Sequence, residues 1–145
     1  MFLNILHRDF PNVVHQVNKK IEESIPKHRL TDYSQIEAII ASFKRIKNID
    51  DSFKNEREYM LKHVTKQREL AIAIVILFYH PEKLLGLSNK RNSFCHILSK
   101  TIKLPKSSIS RTTCNAIFAF KTYAEFRAEV YETYERIKEE NQFFK

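Results

Sequence analysis

The sequence predicts an all-α fold, and three features carry that prediction. Apolar residues recur at three- and four-residue steps along most of the chain, the spacing of a helix with one buried face. No segment alternates apolar and polar side chains as a half-buried strand does. The 145 residues include one Gly and four Pro, so hairpin turns, phosphate-cradling loops and dinucleotide-binding fingerprints have almost no glycine to be built from. Hydrophobic residues make up 43% and charged residues 29%, which excludes wholesale disorder. At this length the expectation is a single all-α domain, 1–145, a helical bundle of about five to seven helices. Within it, 1–81 would supply supporting helices, 83–124 a basic region and 125–145 a last helix.

Asp9 and Pro11 mark a helix start, because Asp can cap free amides and Pro lacks a donor that would go unpaired there. Phe10, Val13, Val14, Val17, Ile21 and Ile25 then form an apolar stripe that Pro26 ends. Thr31 and Asp32 open a second helix with Tyr33, Ile36, Ile39, Ile40, Phe43 and Ile46 inward, broken at Asn48 to Asp51. From Ser52 to Tyr79 nothing stops a helix, and the spacing allows one or two, with the weakest point at Lys62 to Lys66. Leu70 to Tyr79 is apolar nearly all round and reads as the central strut, buried on several sides. At ten residues it falls far short of the roughly 20 needed to span a bilayer. His80-Pro81 ends it; Glu82 to Leu85 fits one further turn, with Gly86 as a left-handed cap.

Two shorter helices follow. Asn89 can cap one with Phe94, Ile97, Leu98, Thr101 and Ile102 inward. Lys103-Leu104-Pro105 leads to a second, capped by Lys106 or Ser107, with Ile109, Thr113, Ala116, Ile117 and Phe120 inward. From about Tyr123 a last helix turns Phe126, Val130, Tyr134 and Ile137 inward and leaves Glu129, Glu132, Arg136 and Lys138 solvated. Cys114 is expected as a small filler beside the core.

Charge is distributed very unevenly. The chain has 25 Lys and Arg against 17 Asp and Glu, a net charge of +8. No acidic residue lies between Glu82 and Glu125, whereas Lys83, Lys90, Arg91, Lys100, Lys103, Lys106, Arg111 and Lys121 all do. The basic and acidic residues outside this stretch balance one another, so under a third of the sequence holds the whole excess. Clustered positive charge points to a polyanionic partner, nucleic acid before an anionic membrane.

With Ile109 turned inward, steps of about 100° per residue place Ser107, Arg111, Asn115, Phe118 and Thr122 on the opposite face, with Ser108 and Ser110 flanking. Arg and Asn are suited to bidentate contact with guanine and adenine. Ser107 and Ser108 are small enough to let a helix N-terminus approach a phosphate. Base-reading candidates are therefore Ser107, Ser108, Arg111 and Asn115; candidate phosphate contacts are Lys90, Arg91, Lys100, Lys103 and Lys106. Phe118, outward by the wheel, is expected to be covered by the N-terminal helices or a second subunit.

The run from Leu98 to Arg111, Leu-Ser-Lys-Thr-Ile-Lys-Leu-Pro-Lys-Ser-Ser-Ile-Ser-Arg, resembles the helix-turn-helix signature of bacterial and phage DNA-binding proteins. Ser99 matches the small residue before the turn, Leu104 the apolar turn residue, and Ser108-Ile109-Ser110-Arg111 the opening of the recognition helix. Two positions depart from the pattern: Lys103 replaces the usual turn glycine, and Thr112 stands where an apolar residue is expected. The match covers about 20 residues. The position of the motif, between a buried helix and a final one, is also similar to the replication-initiator C-terminal domain and the Trp-repressor-like group, an analogy of fold only. The resemblance implies double-stranded DNA as partner and transcription regulation as role; the N-terminal helices and the last helix are expected to bury the core and to hold a homodimer, as half-site recognition often requires. A protein-interaction module with a basic face and a non-specific or RNA-binding helical protein remain as alternatives.

Nothing in the sequence points to an enzyme. The six His show no two-ligand helical spacing with an acid, and Cys95 and His96 are adjacent and cannot face each other on a helix. The expectation is no catalytic residue, no metal and no cofactor. The two Cys have no paired spacing and fit reduced thiols in a cytoplasmic protein. The early charges of the N-terminus do not fit a signal peptide, and no membrane partner is expected.

Overall fold

The computed structural model describes residues 2–49, 58–86 and 94–144, and all regular structure among them is helical. The all-α prediction holds, with eight α-helices among the described residues instead of five to seven. The helix not foreseen lies ahead of Pro11; the further turn expected at Glu82 to Leu85 is present at Pro81–Leu84.

The chain begins with α1 (Phe2–Asp9) and α2 (Pro11–Ser24), divided where Pro11 opens the second helix. Among the described residues the two contact each other across the Phe10 break and make no extensive contact with the other helices. The expectation that the apolar stripe from Phe10 to Ile25 helps bury the core is corrected for three of its members: Phe10 is 54% exposed, Val13 47% and Val17 49%. Val14 and Ile25 are half-buried, and the side chain of Ile21 lies outside the described residues; Ile5 of α1 is 43% exposed. Over Leu70 to Tyr79 the central helix is already enclosed by other elements.

A 3-10 turn at Tyr33–Gln35 leads into α3 (Ile36–Lys47). The Asp32 carboxylate accepts the Ser34 amide at 2.9 Å, which caps the turn and holds the Asp32 pKa below its ordinary value. Ile36, Ile39, Ile40 and Phe43 are buried as predicted. Asn48 ends α3 in the left-handed region (φ 57°), and Ile49 N–H returns to the Lys44 carbonyl at 2.9 Å.

Central helix α4 (Glu58–Tyr79) is continuous through Lys62 to Lys66, so over 58–79 the segment is one helix. Every residue from Leu70 to Tyr79 is buried. Around it pack α3, α5 (Pro81–Leu84), α7 (Lys106–Thr122) and α8 (Ala124–Glu140), while α6 (Phe94–Ile102) packs on α3 and α7. Gly86 follows α5 at φ +74°, and a Cβ there would lie 2.6 Å from Lys121 Nζ. Tyr123 alone, extended, separates α7 from α8. In α8 the predicted face is buried: Phe126, Val130, Tyr134 and Ile137. The chain end folds back so that the Phe78 ring lies 4.4 Å from Tyr134 and 5.5 Å from Phe143.

Glu129 is not simply solvated as expected. It pairs with Lys47 at 2.8 Å and Lys66 at 3.5 Å, tying α8 to α3 and α4. Partial burial works against its charge, but the two lysines outweigh it and hold its pKa below the ordinary value. Arg45 likewise pairs with Glu140.

Residues 29–33 strap the C-terminal end of α4. Leu30 N–H donates to the Phe78 carbonyl (2.9 Å), Tyr79 Oη to the Asp32 carbonyl (2.6 Å), and Tyr33 Oη lies 3.0 Å from His80 Nε2. Glu82 takes the Arg29 guanidinium at 3.0 and 3.2 Å. Burial pushes the Tyr79 pKa up and the His80 pKa down; around His80 the Glu82 charge opposes that shift, and Lys83 and Arg29 add to it.

Phe78→Ala is expected to cost about 3–5 kcal/mol in urea unfolding, as for other buried aromatics. Phe118→Ala, at a side chain 59% exposed, should stay within about 0.5 kcal/mol. His80 adds a pH dependence. Its folded pKa lies below the unfolded value of 6.5, so the unfolded chain binds more protons and stability falls as pH drops from that value through the folded pKa. His80→Gln should remove this part of the decline; an unchanged slope between neutral pH and pH 5 would contradict the assignment.

Candidate nucleic-acid interface

The junction between α6 and α7 is three residues long. Lys103 takes the left-handed conformation, φ 62°. The expected departure from a turn glycine is therefore accommodated by a lysine adopting the glycine conformation, at a cost of about 1–2 kcal/mol for an ordinary residue. Two interactions hold it there: Leu104 N–H donates to the Ser99 carbonyl at 3.2 Å, and Ser99 Oγ donates to the Leu104 carbonyl at 2.5 Å. Ser99 so satisfies both polar groups of Leu104, whose half-buried side chain packs against the core. The small residue matched in sequence is small because its hydroxyl must reach across this turn.

The expected cap of α7 at Lys106 or Ser107 is corrected. Both lie within the helix, and Pro105 holds the cap position with no side-chain hydrogen bond. Extended Pro105 (φ −59°, ψ 149°) offers its carbonyl to Ile109 N–H at 3.1 Å, and the amides of the first turn are left without a side-chain cap. Ile109, Thr113, Ala116 and Phe120 are buried as expected, with Ala119 beside them and Ile117 half-buried. The Thr113 hydroxyl donates to the Ile109 carbonyl (2.7 Å) and Thr112 to the Ser108 carbonyl (2.8 Å). Thr112 is tolerated where an apolar residue was expected because it lies on the half-buried flank and satisfies its own polar group.

The opposite face of α7 is as the wheel placed it. Ser107, Arg111, Asn115, Phe118 and Thr122 are exposed, with Ser110, and Ser108 is half-buried on the flank. Lys100, Lys103 and Lys106 are exposed at the junction. Among the described residues none of Lys100, Lys103, Lys106 and Arg111 forms an ion pair. Lys90, Arg91 and the proposed cap Asn89 lie outside the described residues.

Two side chains near this face are placed differently from expectation. Cys114 is exposed rather than filling the core, because Thr113 and Ala116 already face α4. Of the two covers expected for Phe118, α1 and α2 do not supply theirs: within the chain it is 59% exposed and meets Tyr123, itself 56% exposed, edge-on with ring centroids 6.3 Å apart. Tyr123 had no periodic signal, since it belongs to the link and not to a helical face. Arg127 was also missed: it donates to the carbonyls of Phe120 (2.9 Å) and Lys121 (3.4 Å) and closes the C-terminal end of α7.

Among the described residues no group of three His, Cys, Asp or Glu is placed to hold a metal ion, and no helix is long and apolar enough to cross a membrane. No protein-family model matches the chain, and no match was found among curated proteins or solved structures.

Lys103→Gly is expected to raise stability by about 0.5–1 kcal/mol, the relief of the left-handed conformation less the added freedom of the unfolded chain. Lys103→Val should lower it, since a β-branched side chain tolerates that conformation worst. Thermal unfolding of the two variants checks the sign of each.

Proposed function

We propose that the protein is a non-enzymatic, sequence-specific binder of double-stranded DNA and acts as a transcriptional regulator, with α6 and α7 as a helix-turn-helix and α7 as the recognition helix. The observation that carries this reading is the exposed stripe of Ser107, Arg111 and Asn115 on α7, flanked by Lys100, Lys103 and Lys106, on a stretch of chain without a carboxylate.

Each part has a physical role. The uncapped first turn of α7 and its dipole favour an anion, and Ser107 leaves room for a phosphate to approach. Lys100, Lys103 and Lys106 lie where α6 meets α7, the part of such a motif that flanks the groove, and supply sequence-independent attraction. Arg111 and Asn115 follow at one-turn intervals, with donor and acceptor sets matched to guanine and adenine edges. Phe118 continues the same stripe as an apolar contact for a thymine methyl.

Binding to random duplex DNA should weaken steeply with salt, each neutralised phosphate contributing about −0.9 to the logarithmic slope. Lys100→Ala should weaken all sequences alike and reduce that slope by about 1. Arg111→Ala should cost about 1–3 kcal/mol on a selected sequence and flatten the preference at one base pair. Fluorescence anisotropy on a duplex selected from a random library reads all three. Absence of duplex binding at low salt overturns the proposal; equal loss on every sequence for Arg111→Ala reduces that residue to a phosphate contact.

A further inference from the structure

One cavity lies away from α7. Pro26 to His28, one flank of α8 and the chain end enclose about 410 Å³ between them, a volume within the range of small-molecule sites. Its walls are mostly rings: Tyr131, Tyr134, Phe143, Phe144 and His28. The chain end is bent to supply two of them. Gln142 and Phe144 both take the left-handed conformation, φ 54° and 65°, which is unfavourable for residues other than glycine. Phe143 then meets Phe78 at 5.5 Å, and Phe144 stacks on His28 at 5.7 Å.

One polar group in these walls is unused. Tyr134 is 4% exposed, and its hydroxyl forms no hydrogen bond among the described residues. A buried hydroxyl without a partner is costly, and an acceptor on a ligand relieves that cost. Burial pushes the Tyr134 pKa up to about 12, with the Glu135 charge adding to the rise, so at neutral pH the group is a donor.

Charge narrows the ligand. At the cavity Lys27 and Lys138 are matched by Glu135 and Glu139, and Lys138 already holds Glu135 at 2.6 Å. A charged molecule finds no net attraction in that balance and loses its hydration on entering. A bound cation is not favoured by the rings either, because the Lys138 ammonium already lies over the Tyr134 ring, 5.5 Å from its centroid.

We infer that this cavity binds an uncharged planar aromatic molecule of one or two rings, carrying an acceptor atom that receives the hydrogen bond of the Tyr134 hydroxyl. The site does not rest on DNA binding, and its test contains no DNA. The probe is quinoline, uncharged at neutral pH and with one acceptor nitrogen, titrated into the full chain and followed by amide-shift NMR. Saturable shifts at Tyr131, Tyr134, Phe143 and Phe144 are expected, with a dissociation constant below about 1 mM. Tyr134→Phe keeps the ring and removes only the unpartnered hydroxyl. It should unfold at the wild-type temperature and bind quinoline about three- to tenfold more weakly. N-Methylquinolinium and 2-naphthoate, a cation and an anion of similar shape, should each bind more weakly than quinoline. Shifts that do not saturate, or that map elsewhere, overturn the inference. So does a Tyr134→Phe chain that binds quinoline as wild type does, or tighter binding of either ion.

Discussion

Burial of ten consecutive residues, Leu70 to Tyr79, is the constraint on which the remaining structure depends. A helix apolar on all sides cannot be stable with any side in water, so it must be enclosed. At roughly 25 cal/mol per Å² of apolar surface, enclosing it is worth more than any polar contact in the molecule. Its neighbours α3, α5, α7 and α8 each contribute one apolar stripe and turn the other side outward. The polar contacts then fix register. Glu129 lies between Lys47 and Lys66, and residues 29–33 hydrogen-bond across the C-terminal end at Phe78 to His80. Enclosure also explains why α2 is left over, since the strut has no free side for it.

Much of this was legible in the sequence because the core rests on local periodicity. The inward residues of α3, α7 and α8 are those their spacing indicates, and the buried strut is visible as an unbroken apolar run. What periodicity cannot say is which of two amphipathic stripes wins a place against the strut. The stripe of α2 is as regular as that of α3, yet Ile36, Ile39 and Phe43 are buried while Val13 and Val17 are exposed. That outcome is decided by competition for one surface, a property of the whole fold. Pairings such as Arg29 with Glu82 or Lys47 with Glu129 were hidden for the same reason, being set by which helices become neighbours.

At the candidate interface, the outward face of α7 followed from the inward one, since fixing Ile109 and Phe120 against α4 fixes Ser107, Arg111 and Asn115 on the other side. The turn was less legible. A lysine where glycine is usual suggested a distorted junction, but Ser99 closes it through both polar groups of Leu104 and Lys103 takes up the left-handed conformation. The link therefore stores strain, and α7 is held by its packing more than by its turn. Small residues on its inner face, Ala116 and Ala119, allow the backbone to lie close to its neighbours.

A face held this way suits recognition on energetic grounds. Side chains that select a ligand by geometry lose discrimination when their support moves, so they belong on an element that packing over-determines. The seventeen residues of α7 are pinned along their length by Ile109, Thr113, Ala116 and Phe120 and closed at the far end by Arg127. The carboxylates Glu82, Glu129 and Glu140 are engaged by Arg29, Lys47, Lys66 and Arg45 on other elements. Positive charge beside α7 is thus opposed neither by an acid in its own stretch of chain nor by those three, which are neutralised where they stand. Rigid support and a run of basic side chains with no carboxylate in the same stretch of chain coincide on one helix.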